Sequence, residues 1–228
     1  MNPRQVYGAL VLATIFLGGC ATVPVPQLTR PESSGLGIVL TLQAPVAIFT
    51  AKPDVIYFAR VDNEDGLLQQ AIFPSNYAKD DRFYLLNLRP GTYVAVAAFF
   101  ARAGASPAPA RPGLSVSAPG RTGYTTFFSK EFVEHTRVKV TEKDFAFMGS
   151  YVTDQSVGLG GADPVQIHYA SVISPGAAQS GFLGSLLSGD FNYRGTALEA
   201  KKDEDSRSAF FTNARKDLAE SDWAERIK

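Results

Sequence analysis

The sequence predicts a mainly β fold, an antiparallel β-sandwich with a C-terminal α-helix. Three observations carry that expectation. Eight or so short runs between Leu36 and about Tyr169 alternate apolar and polar residues, turn-forming residues punctuate them, and the pattern becomes helical and charged after Thr196. With 45% hydrophobic residues and 16 phenylalanines the chain can fill a core. Its length fits one domain of about 200 residues with appendages rather than two domains.

The strands are taken in chain order. "GIVLTLQ" opens the series, and "DVIYFARVD" comes next with apolar residues on both faces, the mark of a central or covered strand. "LLQQAIF", "RFYLLNL" and "TYVAVAAFFAR" continue it. Pro90-Gly91 joins the last two of these, since proline presets φ and glycine accepts a positive one. In "EHTRVKV", Thr136, Val138 and Val140 face one way and His135, Arg137 and Lys139 the other. "TEKD" then turns the chain so that "FAFMGSYV" returns alongside as a hairpin, and "VQIHY" adds a strand with Val165, Ile167 and Tyr169 inward. The absence of intervening helices points to an antiparallel sandwich or barrel.

Two stretches interrupt the strands. Residues 101–123, rich in Ala, Pro, Gly and Ser, carry Arg102, Arg111 and Arg121 without an acid. They cannot bury a useful apolar face, so they form a mobile loop or a partly ordered insertion. Residues 176–195 place Phe182, Leu183, Leu186 and Leu187 at helical spacing between glycines, which predicts a short helix or turn. Thr196 to Glu199 then fits a capping box and opens a charged helix. Phe210, Phe211, Ala214 and Leu218 form one stripe, expected to pack on the sandwich rather than bind a partner. Asp203 and Arg207 stand four apart as a favourable pair, and Trp223 docks separately after a break at Ser221.

The N-terminus carries the sharpest signal. Arg4 precedes an uncharged apolar run from Val6 to Gly19, too short for the roughly 20 residues of a membrane-spanning helix and proportioned as a secretory signal peptide. Leu17-Gly18-Gly19-Cys20 resembles the bacterial lipobox, and Cys20 is the only cysteine. That resemblance implies cleavage before Cys20, diacylglycerol on its sulfur and an acyl chain on its new amino terminus. The competing reading is a cysteine that happens to lie in an uncleaved anchor or near an ordinary cleavage site. One acyl chain binds a membrane only reversibly, at about 0.8 kcal/mol per buried methylene, so several chains are what hold a protein there. By resemblance to enteric lipoproteins, Ala21 in place of aspartate implies the outer membrane, facing the periplasm.

Prolines 24, 26 and 31 with Ser33-Ser34-Gly35 make residues 20–35 a lipidated cysteine and flexible tether, reaching on the order of 40 Å if polyproline-like. The alternative is a segment packed along the domain. The expected organisation is residues 1–19 as leader, 20–35 as tether, 36–195 as sandwich and 196–228 as a helical segment packed on it. The stretch "YLLNLRPGTYVAVAAF" also resembles prealbumin-like and carboxypeptidase-regulatory-like sandwiches of envelope proteins, which implies that fold and no activity.

Catalytic chemistry is sparse. Basic and acidic residues balance at 22 each, and removing residues 1–19 leaves 21 against 22, which argues against a nucleic-acid partner. His135 and His168 fall on polar strand positions without metal-ligand spacing, and no Gly-x-Ser-x-Gly elbow occurs. "GLGGAD" at 158–163 lacks a phosphate-loop lysine and a following helix and reads as a turn. Asp80-Asp81 and Asp203-Glu204-Asp205 read as solvated carboxylates, and "VDNEDG" at 61–66 as a polar hairpin turn rather than a calcium loop. No cofactor, metal or catalytic residue is expected. The expectation is a lipid-anchored, non-enzymatic envelope protein that presents a surface to a protein or glycan. An envelope hydrolase with a loop-assembled site, or a carrier with an apolar cavity, are the alternatives.

Overall fold

The computed structural model describes residues 24–43, 50–62, 66–101, 123–175 and 190–227. The fold is mainly β: one curled, mixed sheet forming a half-barrel. The long strands are β1 (Ser34–Gln43), β3 (Val55–Arg60), β6 (Arg82–Leu88), β7 (Gly91–Ala101), β8 (Gly123–Phe128), β10 (Phe145–Val157) and β11 (Asp190–Lys201). Short strands β2 (Thr50–Ala51), β4 (Ile72–Pro74), β5 (Tyr77–Lys79) and β9 (Val138–Val140) complete it. The order is β4-β3-β7-β8-β11-β10-β1-β6-β5, with β2 on β1 and β9 on β7.

The antiparallel sandwich expected from the sequence is not what forms. β1 pairs β10 in parallel, and β8 pairs β11 in parallel. Alternating runs reveal strands but not their neighbours, and a parallel pair joins segments far apart in the chain. β6 and β7 are linked by Arg89 and Pro90 alone, yet four strands lie between them in the sheet. Five interstrand spacings on a flat sheet cover about 24 Å. Three Cα steps span at most about 11 Å. The sheet must therefore curl to bring its two arms together. At that link Tyr93 donates its hydroxyl to the Arg89 carbonyl at 2.8 Å.

Among the described residues three helices and one tight turn cover the sheet. Helix α1 (Lys130–His135) starts at Ser129, whose hydroxyl accepts from the Phe132 N–H. His135 thus ends a helix, and only Val138–Val140 of "EHTRVKV" is a strand. That strand pairs β7, so the expected hairpin with "FAFMGSYV" does not form. Helix α2 (Pro164–Ile173) replaces the strand predicted at "VQIHY". Five residues with inward positions 165 and 169 satisfy a helix as well as a strand. The deciding signal lies before them: Asp163 and Gln166 close a capping box with proline at the first helical position. Ile167 accordingly points outward, 54% exposed.

Helix α3 (Glu204–Asp217) begins later than predicted. Strand β11 runs through the Thr196–Glu199 capping signature to Lys201, because pairing with β10 satisfies its backbone first. Asp203 is the cap instead, accepting from the Ser206 N–H, which lowers its own pKa. Its expected partner Arg207 lies over the Phe211 ring at 4.9 Å. Of "LLQQAIF" only Ile72 and Phe73 are in a strand. The 102–122 loop, the helical signal at 176–189 and residues 1–23 lie outside the described residues.

Two apolar clusters result. The first joins the even positions of β1, such as Leu36, Ile38 and Leu40, with β6, β7 and α1. The second lies on the opposite face of β1, β6 and β10, where Tyr84, Phe145 and Phe147 meet Phe210 and Phe211 of α3. Phe147 and Phe210 stack at 4.6 Å. Room for this comes from two glycines of β1. A Cβ on Gly37 would lie 2.3 Å from Cζ of Phe210, and one on Gly35 would lie 2.9 Å from the Phe145 ring.

Gly37→Ala should therefore cost about 1–3 kcal/mol in urea unfolding, because the Phe210 ring must shift off its stack on Phe147 to admit the methyl group. Gly160→Ala, whose Cβ meets nothing within 4 Å, should stay within about 0.5 kcal/mol of the parent. Equal values for the two variants would show that α3 is not seated on β1.

Candidate functional site

Cys20 lies outside the described residues, but the chain begins to be described four positions later, at Pro24. Residues 24–33, expected as part of a free tether, lie against the body. With prolines at 24, 26 and 31 the strap has fewer N–H donors than carbonyls. The body supplies donors for them. Trp223 Nε1 donates to the Pro26 carbonyl at 2.9 Å, and Arg226 Nη2 to that of Pro31 at 2.6 Å. Both belong to the 3-10 turn Asp222–Arg226 that follows α3. Asn87 reads the strap in both directions, donating to the Gln27 carbonyl and accepting from Thr29 N–H, each at 2.8 Å. It can do so because it sits at a bulge between β1 and β6, with φ at 66°. Val25 and Leu28 pack on the second apolar cluster. Trp223 docks after a break at Ser221, as the sequence indicates, and is fully buried.

A largely buried polar centre joins α3 to β6. Arg82 Nε donates to Asp217 Oδ2 at 2.6 Å and its Nη2 to Oδ1 at 3.2 Å. Tyr84 donates its hydroxyl to Oδ2 at 2.6 Å, and Tyr77 donates to the Asp217 backbone carbonyl at 3.1 Å. Asp80 and Asp81, read from sequence as solvated, hold the same guanidinium at 2.8 and 3.3 Å. The hydrogen bond to Asp217 raises the Arg82 pKa. Burial, then the Asp217 carboxylate, push Tyr84 well above the ordinary tyrosine value. Beside this centre a cleft of about 220 Å³ is lined by Val39, Ala209 and Phe210 as well as by Asp81, Arg82, Ser150, Ser206 and Asn213. Both Asp217 oxygens accept hydrogen bonds, so the group acts as a latch between helix and sheet. "KDDR" and "RKDL" are far apart in sequence, and nothing in either announces the other.

The remaining candidate residues do not converge. His168, on α2, has Nε2 2.9 Å from the Gln69 carbonyl. His135 closes α1 and is exposed, and its backbone carbonyl accepts from the Tyr151 hydroxyl. The 158–163 stretch is a turn, but a helix does follow it. The Asp163 side chain fills that helix's N-terminus and also accepts from the Lys130 N–H. Asp62 pairs with Arg60 at 2.8 Å. Among the described residues no group of three or more His, Cys, Asp or Glu could hold a metal ion. Thr153 Oγ1, both amide ends of Asn192 and Arg194 Nε are buried without hydrogen-bond partners. Strand alternation puts Asn192 and Arg194 on one face and Thr153, opposite Ala197, on the other, so no single site collects them.

Comparison with protein-family models, curated proteins and solved structures finds no match for this chain.

Two measurements check the latch. Arg82→Ala strands a carboxylate that is 6% exposed and should cost about 3 kcal/mol, part of which Arg82→Leu combined with Asp217→Leu should recover. A loss below about 1 kcal/mol would place the pair among exposed ion pairs. Burial raises the pKa of Tyr57, Tyr77, Tyr84, Tyr93, Tyr151 and Tyr169, the last to about 12. Those groups keep their protons in the folded state after an unfolded chain has lost them. Their contribution is intact below about pH 10 and declines above it. Spectrophotometric titration should show part of the phenolate signal appearing only as the protein unfolds in alkali.

Proposed function

We propose that this chain is a lipid-anchored bacterial envelope protein whose β body presents a binding or structural surface and catalyses no reaction. The observation that carries the reading is Leu17-Gly18-Gly19-Cys20 at the end of a signal-like apolar run. Diacylglycerol on the Cys20 sulfur and an acyl chain on its amino group hold the protein in a bilayer, the outer membrane facing the periplasm. With Cys20 lipidated, no thiol remains for a disulfide. Its partner is an envelope protein or glycan.

What the described residues do with their polar groups supports the non-catalytic half. Both carboxylate oxygens of Asp217 accept from Arg82 or Tyr84, which commits that group to joining helix and sheet. The cleft beside Arg82 holds about 220 Å³, below the roughly 300–1,000 Å³ of a small-molecule site, and Val39, Ala209 and Phe210 share its lining with polar side chains.

Cells given a palmitate analogue should label the parent protein, and Cys20→Ala should lose both the label and retention in the membrane fraction. A parent that carries a free thiol at Cys20 removes the anchor. Crosslinking in intact membranes should recover a defined envelope component. Hydrolytic activity lost on His135→Ala or His168→Ala would replace the surface reading with an enzyme.

A further inference from the structure

The docked strap sets where the bilayer must be. Only residues 21–23 separate Cys20 from Pro24, and Pro24 is exposed at the start of a segment already bonded to the body. Four peptide steps reach at most about 14 Å. A free chain to residue 35 would have allowed on the order of 40 Å. Val25 and the Pro26 carbonyl fix the first docked residues beside Trp223, so the point of exit lies at the Asp222–Arg226 turn. Resting on the lipid-anchor reading, we infer that this end of the molecule sits directly on the membrane surface and that the opposite end faces away from it.

The opposite end is defined by β10. Its first residue, Phe145, has its ring 6.4 Å from that of Trp223. Its last, Val157, leads into the Gly158–Gly161 turn, exposed at Gly160 and Gly161. Twelve strand steps, broken by an irregularity at Gly149, put that turn at most about 40 Å from the membrane end. Charge does not do the orienting: Asp222, Glu225 and Arg226 mix both signs at the strap end. Orientation comes from the short covalent reach and the bonds that hold the strap. A partner recruited by the anchored protein meets the Gly158–Gly161 end, while the Asp222–Arg226 turn meets lipid.

The full lipidated protein tests this directly, because an added cysteine is then the only free thiol. A donor dye is placed at Glu225→Cys or Gly160→Cys, both exposed positions. The proteins are reconstituted in phosphatidylethanolamine–phosphatidylglycerol vesicles with an acceptor-labelled lipid. Transfer should be strong from 225 and roughly threefold weaker from 160, as a separation of up to about 40 Å along the strand implies. Val25→Asp with Leu28→Asp, which frees the strap without touching the sheet, should shrink that difference while membrane retention persists. Equal transfer from both positions in a retained parent protein overturns the inference and leaves the anchor standing. A full difference that survives in the strap variant also overturns it. A protein that stays soluble and unlabelled overturns the anchor reading and the inference together.

Discussion

The contact between Phe210 and the glycine-cleared surface of β1 governs the outer half of this molecule. Gly35 and Gly37 remove two side chains from a strand face, and the rings of Phe145, Phe147 and Phe210 occupy the space. Seating Phe210 fixes the rotation of α3. Two turns further on, that rotation brings Asp217 against Arg82 and Tyr84. The chain then breaks at Ser221 and delivers Trp223 and Arg226 to the strap carbonyls. Helix, latch and strap therefore depend on one close approach between a ring and a backbone.

A second constraint shapes the sheet. The two-residue link between β6 and β7 cannot cross a flat array, so the arms curl toward each other. Parallel pairing of β1 with β10 and of β8 with β11 arises from connections that run across the body rather than turn back at once. Buried polar residues such as Gln155 and Thr126 bond to each other inside this arrangement. A donor buried there without an acceptor would destabilise the interior.

The proposed anchor at Cys20 and the body would meet in the strap. A lipid on Cys20 would bind the polypeptide to a bilayer whatever residues came after it. In this chain the next described residues form a segment whose carbonyls are held by Trp223, Asn87 and Arg226, so the body cannot swing at the length of its linker. Attachment becomes orientation once the linker is part of the fold.

Local chemistry is legible residue by residue. The β character of "RFYLLNL" and "TYVAVAAFF", the helical stripe Phe210–Leu218 and the separate docking of Trp223 can all be read from spacing. So can the lipobox-like end at Cys20, which depends only on adjacent residues. "VQIHY" reads as a strand and folds as a helix because five residues do not separate a period of 2 from one of 3.6, although Asp163-Pro164 before it holds the answer. Thr196–Glu199 carries a genuine cap signature that strand pairing overrides. Strand partners, the Arg82–Asp217 latch and the docking of residues 24–33 are settled only in three dimensions. The bonds from Asn87 to Gln27, Arg82 to Asp217 and Trp223 to Pro26 join residues 60, 135 and 197 positions apart. Such a bond leaves no mark in either local sequence, because its energy exists only once the chain has folded.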